Sequence, residues 1–159
     1  MSPEPILSPT EAVVPSLGAL AAEDPSIVVL DLSTDGNGLV LEPGSGFRER
    51  CVKAEKGERD AVLLAAGLSL AGWSVFVFAP SPLLVPRAYE ALRSAVAVPS
   101  LPVKFLLANS GLSGNRAGAA SQMVEDIAFL RALPNVSIIV PSDAPSTKKL
   151  IENSGNSRN

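Results

Sequence analysis

Apolar and polar positions along the chain follow two rhythms. Four short runs, SIVVLDL (26–32), SVFVFA (74–79), VKFLLAN (103–109) and VSIIV (136–140), are nearly continuous in apolar and β-branched residues. A strand covered on both faces has this pattern, without polar alternation. Between them the apolar spacing becomes helical. Ser8-Pro9-Thr10-Glu11 combines a cap, a first-position proline and a capping-box acid, and predicts a helix to about Ala22. A second helix is predicted from Glu58 to Ala71, with Gly72 as its stop. A third, over 86–97, places Arg87, Glu90 and Ser94 on a polar face and Ala88, Ala91, Leu92 and Ala95 on an apolar one. A fourth, over 122–132, has Glu125 and Asp126 in its first turn and Arg131 in its last, matching the helix dipole. Asp143 caps a short final helix. Strands alternating with helices, without hairpin signals, predict an α/β fold: an open, mainly parallel sheet with helices on both faces. One domain is expected over residues 1–150, followed by a disordered tail, 151–159. Ligands of such sheets bind outside the carboxyl ends of the strands, here loops 32–46, 79–86, 109–120 and 141–144.

Composition removes several functions. The 159 residues are 47% hydrophobic and 18% charged, so a packed core is expected, and with 4% aromatics it is built from Ala, Val, Leu and Ile. A net charge of −3, without a basic stripe, argues against a nucleic-acid partner. The chain has no histidine, which excludes His-based triads and His metal sites within it. Cys51 is the only cysteine, which suits a reducing compartment. The start MSPEPILSPTE lacks the basic and apolar regions of a secretory signal. The longest apolar run, 61–73, falls short of the ~20 residues that span a bilayer. A cytoplasmic location without membrane contact is expected. No phosphate-binding fingerprint follows a strand; STDGNG (33–38) lacks the GxGxxG spacing. No carboxylates have metal-site spacing, and Asp31 with Asp35 is at most a weak cation pair.

The most informative segment is CVKAEKGERDAVLLAAGLSLAGW, 51–73. A charged run, Lys53 to Asp60, feeds directly into an apolar, alanine-rich helix. Glu58 and Asp60 are either ordinary first-turn acids, solvated and dipole-stabilised, or include a carboxylate placed at the mouth of a buried helix for chemistry.

Residues 55–143 resemble the pyrimidine-binding domain of transketolase-like, thiamine-diphosphate-dependent enzymes. GERDAVLLAAGLSLAGWSVFVF is similar to the family's "IAEQ…AAGLA…G…PF" segment. PRAYEALRS is similar to its "RAYDQIR" helix. NSGLSGNRAGAASQMVEDIAFLRALPNVSIIVPSDA is similar to "GLxxGxxGxTHQxxEDIALMRxIPNMxVxxPSD". The spacing between the blocks also agrees, and the transketolase and deoxyxylulose-phosphate synthase branch is the nearer one. The resemblance implies a thiamine-diphosphate-binding fold of the pyrimidine type. It gives Glu58 the family glutamate's role, a hydrogen bond to a ring nitrogen of the aminopyrimidine that lets the cofactor lose its thiazolium C2 proton. It implies cofactor contacts at Phe78, Leu83, Leu84 and Arg87, and substrate contacts at Asn115, Ser121 and Gln122.

The departures are specific. The family's THQ is Ala120-Ser121-Gln122 here, so Ser121 replaces a substrate-contacting histidine. Residues 80–86, PSPLLVP, offer Leu83 or Leu84 where the family often has a stacking phenylalanine. Arg59-Asp60 follows the glutamate in place of Gln-His or Gln-Asn. The family's diphosphate and Mg²⁺ site uses a GDG…N motif on another domain, and no GDG occurs here. The resemblance therefore implies thiamine diphosphate shared with a separate diphosphate-binding subunit that holds Mg²⁺, in a hetero-oligomer inactive without that partner. The substrate would be a ketose or a 2-oxo acid. The alternative is a catalytically degenerate structural or regulatory subunit. A stand-alone flavodoxin-like nucleotide binder is disfavoured by the missing phosphate loop.

Overall fold

Two of the apolar runs lie at the centre of the sheet because both of their faces are covered. The computed structural model describes residues 7–33, 48–54, 57–113 and 118–155. In it, β1 (Ile27–Asp31) and β3 (Ser74–Pro80) pair in parallel, from Ile27↔Ser74 to Asp31↔Phe78. A short β2 (Cys51–Lys53) flanks β1, and β4 (Lys104–Ala108) flanks β3, giving the order β2-β1-β3-β4. The expected parallel α/β sheet is present.

The period of two along a strand divides the core. Val28, Leu30, Val75, Val77 and Ala79 face one way, into a cluster closed by α2 (Glu58–Leu70) and α3 (Ser81–Ala91). Ile27, Val29, Phe76 and Phe78 face the other way, into a cluster closed by α1 (Val13–Glu23) and α5 (Ala144–Gly155). Helices thus cover both faces.

Several boundaries differ from the sequence-based expectation. The Ser8–Glu11 capping box forms in both directions (2.7 and 3.3 Å). It closes a turn, however, and the α-helix starts at Val13. Pro15 has no N–H to return to Glu11, so the helical ladder cannot run through from Ser8. Helix α3 begins at Ser81, five residues before the expected start, with Pro82 in its first turn and Pro86 absorbed further in. A π-helical stretch, Leu92–Ala97, continues it. The helix expected over 122–132 is reduced to α4 (Asp126–Leu130). Met123 is instead held extended by an antiparallel bridge to Gly111, with N–H···O distances of 2.7 and 2.9 Å. VSIIV (136–140) pairs with no strand among the described residues and is largely exposed. Asp143 caps α5 as expected, accepting the Ser146 N–H at 2.8 Å, and these Ser146 hydrogen bonds hold its carboxyl below the usual range. The tail expected to be disordered from 151 is helical to Gly155, with Ile151 buried in the second cluster; 156–159 lie outside the described residues.

One side chain ties the edge strand to the helical layer. Arg50, just before β2, donates to the carbonyls of Ala21 (2.6 Å), Asp24 (3.0 Å) and Ile27 (3.4 Å). A fixed cation here satisfies carbonyls at the α1 C-terminus and opposes the negative end of its dipole. Arg50→Ala is expected to cost about 1.5–2 kcal/mol, the lower part of the range for charged donors because the residue is half-exposed. A urea titration that moves by less than its own error would contradict this role.

Candidate functional site

Helices α2 and α3 follow the carboxyl ends of β2 and β3, where a parallel sheet places its ligands. Gly57, at φ +100°, is the α2 N-cap, a backbone conformation that a side chain would strain. Glu58 is therefore the first helical residue, and its carboxylate sits at the positive end of the helix dipole.

Packing of α2 on α3 through Ala61, Val62, Ala65, Leu84, Ala88 and Ala91 sets which charges meet. Arg87 Nη1 donates to Glu58 Oε1 at 2.9 Å, with the Glu58 side chain 18% exposed and that of Arg87 60%. Glu58 Oε2 carries no hydrogen bond among the described residues. A second pair joins the same helices in the opposite sense: Arg59 to Glu90 at 3.4 Å, with both side chains well exposed. Ser94 Oγ donates to the other Glu90 oxygen at 2.9 Å.

A second group of polar side chains is buried at the carboxyl ends of the central strands. Ser81 Oγ donates to Asp126 Oδ2 at 3.0 Å, and the Ile127 N–H donates to Asp126 Oδ1 at 2.9 Å. Sequence reasoning placed Asp126 only as a first-turn acid; its burial depends on Ser81, 45 residues away, and no local signal shows that. Together with the Gly111–Met123 bridge, this bond pins the segment after the turn Ala119–Ser121. Ser121 and Gln122 are half-buried there, and the turn packs against α3. Asn115 lies outside the described residues.

The remaining expected cofactor contacts separate. Phe78 lies in the α1–α5 cluster, and Leu84, on α3, is fully buried in the cluster beneath α2 and α3, so both side chains belong to the core. Leu83, half-buried, is the member of the set with surface left to offer. Ala61 and Ala65 face their own core, and the outward apolar residues are Leu63, Leu64 and Leu70.

Asp31 closes a turn on Ser33, its Oδ1 accepting the Ser33 N–H (2.9 Å) and Oγ–H (2.6 Å). Asp35, its suggested partner for a cation, lies outside the described residues, and no group of three metal-ligating side chains occurs among those described. Burial and, secondarily, the Asp31 charge push the Cys51 thiol up to about 11, which leaves it protonated and inert near neutrality. A cleft of about 410 Å³ lies between β2 and α2, walled by Val52, Lys53, Ala54, Gly57, Asp60, Ala61 and Leu64; Glu58 is not among its walls. No helix among the described residues is long and apolar enough to cross a membrane.

The profile of the family described as "Transketolase, pyrimidine binding domain" matches residues 7–159. The chain belongs to this family. This transketolase pyrimidine-binding domain is 32% identical over 133 residues to an apulose-4-phosphate transketolase subunit of Phocaeicola vulgatus, covering 84% of the chain and 43% of that protein. It is 37% identical over 133 residues to the 1-deoxy-D-xylulose-5-phosphate synthase of Leptothrix cholodnii, covering 83% of the chain and 20% of that protein. A split-gene transketolase, solved as an inactive beta4 tetramer, superposes with a TM-score of 0.84 at 30% identity, over 96% of this chain and 48% of that one. The domain spans less than half the length of each of these relatives.

Proposed function

We propose that this chain is the pyrimidine-binding subunit of a split transketolase-like enzyme that transfers a two-carbon ketol or acyl unit from a ketose or 2-oxo acid. It would work with a separately encoded diphosphate-binding subunit, and Glu58 is the carboxylate that engages the aminopyrimidine ring of thiamine diphosphate. One observation carries the reading. Glu58 is largely withdrawn from solvent, has one oxygen fixed by Arg87, and has the other unbonded among the described residues. A ring nitrogen that must share a proton needs such an acceptor, in surroundings where water does not compete for it. The residues present thus fit this half of the cofactor.

Thiamine diphosphate supplies carbanion stabilisation, and the protein supplies orientation and proton handling. Glu58 holds the proton at the pyrimidine ring. Ser121 and Gln122, on the turn against α3, together with Asn115, are assigned to the substrate side. Diphosphate and Mg²⁺ are assigned to the partner, because this chain has no GDG motif. The relatives support a divided architecture: one is a transketolase subunit and another a split-gene transketolase.

A scaffold or regulatory subunit is the second reading, favoured by Ser121 in place of a histidine and by the burial of Phe78 and Leu84. Calorimetry with thiamine diphosphate and Mg²⁺ separates the two. The chain mixed with a diphosphate-binding subunit is expected to bind cofactor at least ~10-fold more tightly than either component alone, as two half-sites joined in one complex should. Equal binding by the partner alone would make this chain a scaffold.

A further inference from the structure

We propose that Arg87 is a positioning residue for the Glu58 carboxylate, and not itself a contact of the cofactor; the inference rests on the reading of Glu58 given above. A glutamate side chain is long and flexible, and at the first position of α2 no capping bond holds it. Among the described residues, its one polar partner is Arg87 Nη1, at 2.9 Å from Oε1. A charge-assisted bond to a carboxylate that is 18% exposed fixes the orientation of both carboxylate oxygens, because they share one plane. Oε2 is left without a hydrogen bond among the described residues.

The other pair joining the same two helices provides the contrast, which lies in the carboxylate and not in the arginine. Arg59 and Glu90 are 3.4 Å apart, with side chains 64% and 71% exposed. Such a pair is solvated and contributes little. The Glu58–Arg87 pair is shorter, and its carboxylate is mostly withdrawn from water. The base of Arg87 is also held firmly. Its neighbour Ala88 is buried against α2, and Tyr89 donates to the Phe129 carbonyl at 3.1 Å while its ring meets Phe129 edge-on. A guanidinium offers donors only. It cannot accept the proton that the pyrimidine nitrogen must share, so its chemistry here runs through Glu58.

The test uses the chain reconstituted with its diphosphate-binding subunit and needs no knowledge of the substrate. Two quantities are read: the Kd of thiamine diphosphate by calorimetry, and the rate at which its thiazolium C2 proton exchanges with deuterium, by NMR. R87M is expected to slow exchange by about 10- to 100-fold, the scale of misplacing a reacting group by an ångström. R87K is expected to recover much of the loss, and R59M to match the unaltered complex. In a double-variant cycle, R87M is expected to weaken cofactor binding when Glu58 is present and to add nothing to E58Q. Equal weakening with and without E58Q would show that Arg87 touches the cofactor itself, and unchanged exchange in R87M would show that the carboxylate needs no clamp. Either overturns the proposal. If R87M does not fold by circular dichroism, R87Q takes its place with the same expectations. E58Q alone reports on the underlying reading: normal binding and exchange in that variant would remove Glu58 from the cofactor site.

Discussion

If Glu58 has the proposed role, Glu58→Gln is expected to leave a folded, partner-competent chain that no longer activates thiamine diphosphate. The expected loss is about 10²- to 10⁴-fold in C2-proton exchange and in turnover, the usual contribution of a positioned acid–base group. At ~1.4 kcal/mol per tenfold, that is roughly 3–5 kcal/mol of barrier. The structural cost is smaller. The amide keeps the size of the side chain and loses an ion pair whose arginine is 60% exposed, worth up to ~1 kcal/mol. The favourable position of the charge at the α2 N-terminus adds about 0.3–1 kcal/mol. The chemical effect therefore exceeds the effect on folding, which adds to at most about 2 kcal/mol. Urea titration of the free chain and exchange kinetics of the complex measure the two separately. Full activity in a folded E58Q complex would remove Glu58 from the mechanism.

Phe76→Ala is expected to be the most damaging truncation in the core, at about 3–5 kcal/mol. Phe76 is fully buried on β3 and heads the fully buried side chains by volume. The α1–α5 cluster around it is otherwise mainly aliphatic, and such neighbours cannot collapse to fill a phenyl-sized void. The Lys104 amine lies 5.6 Å from the ring centroid, and its loss adds about 0.5–1 kcal/mol. Domains of this size are stable by only ~5–15 kcal/mol, so the urea midpoint should fall by a large fraction of its value with little change in slope. Phe76 faces away from α2 and α3, so cofactor affinity should persist while the chain remains folded. A loss under ~1 kcal/mol would mean that the cluster repacks freely.

Much of this architecture is readable from residue order because the dominant signals are local. Continuous apolar runs mark β1, β3 and β4, and Asp143 marks the start of α5. The α2 boundaries follow from Gly57 and Gly72 on either side of an alanine-rich run. What sequence did not reveal depends on partners distant along the chain. CVK is too short and too close to charged residues to stand out as a strand; pairing with β1 makes it one. VSIIV has the composition of a strand and no ladder partner among the described residues. In a fully buried strand such as β3, composition cannot show which face a side chain takes, and the early start of α3 was not readable either; the core positions of Phe78 and Leu84 are seen only in the structure. Glu58 and Arg87 were each singled out by resemblance, but only the packing of α2 on α3 reveals that they meet.

The open β4 edge and the exposed apolar residues of 136–140 have a colloidal consequence. Among the described residues β4 is an edge strand, and Val136, Ile138, Ile139 and Val140 lie exposed in a segment with no ladder partner. Open edges and contiguous apolar surface are sites where identical molecules adhere. A net charge of −3 gives only modest mutual repulsion to oppose that. The solubility of the isolated chain is therefore expected to depend on these apolar residues, well away from Glu58 in sequence.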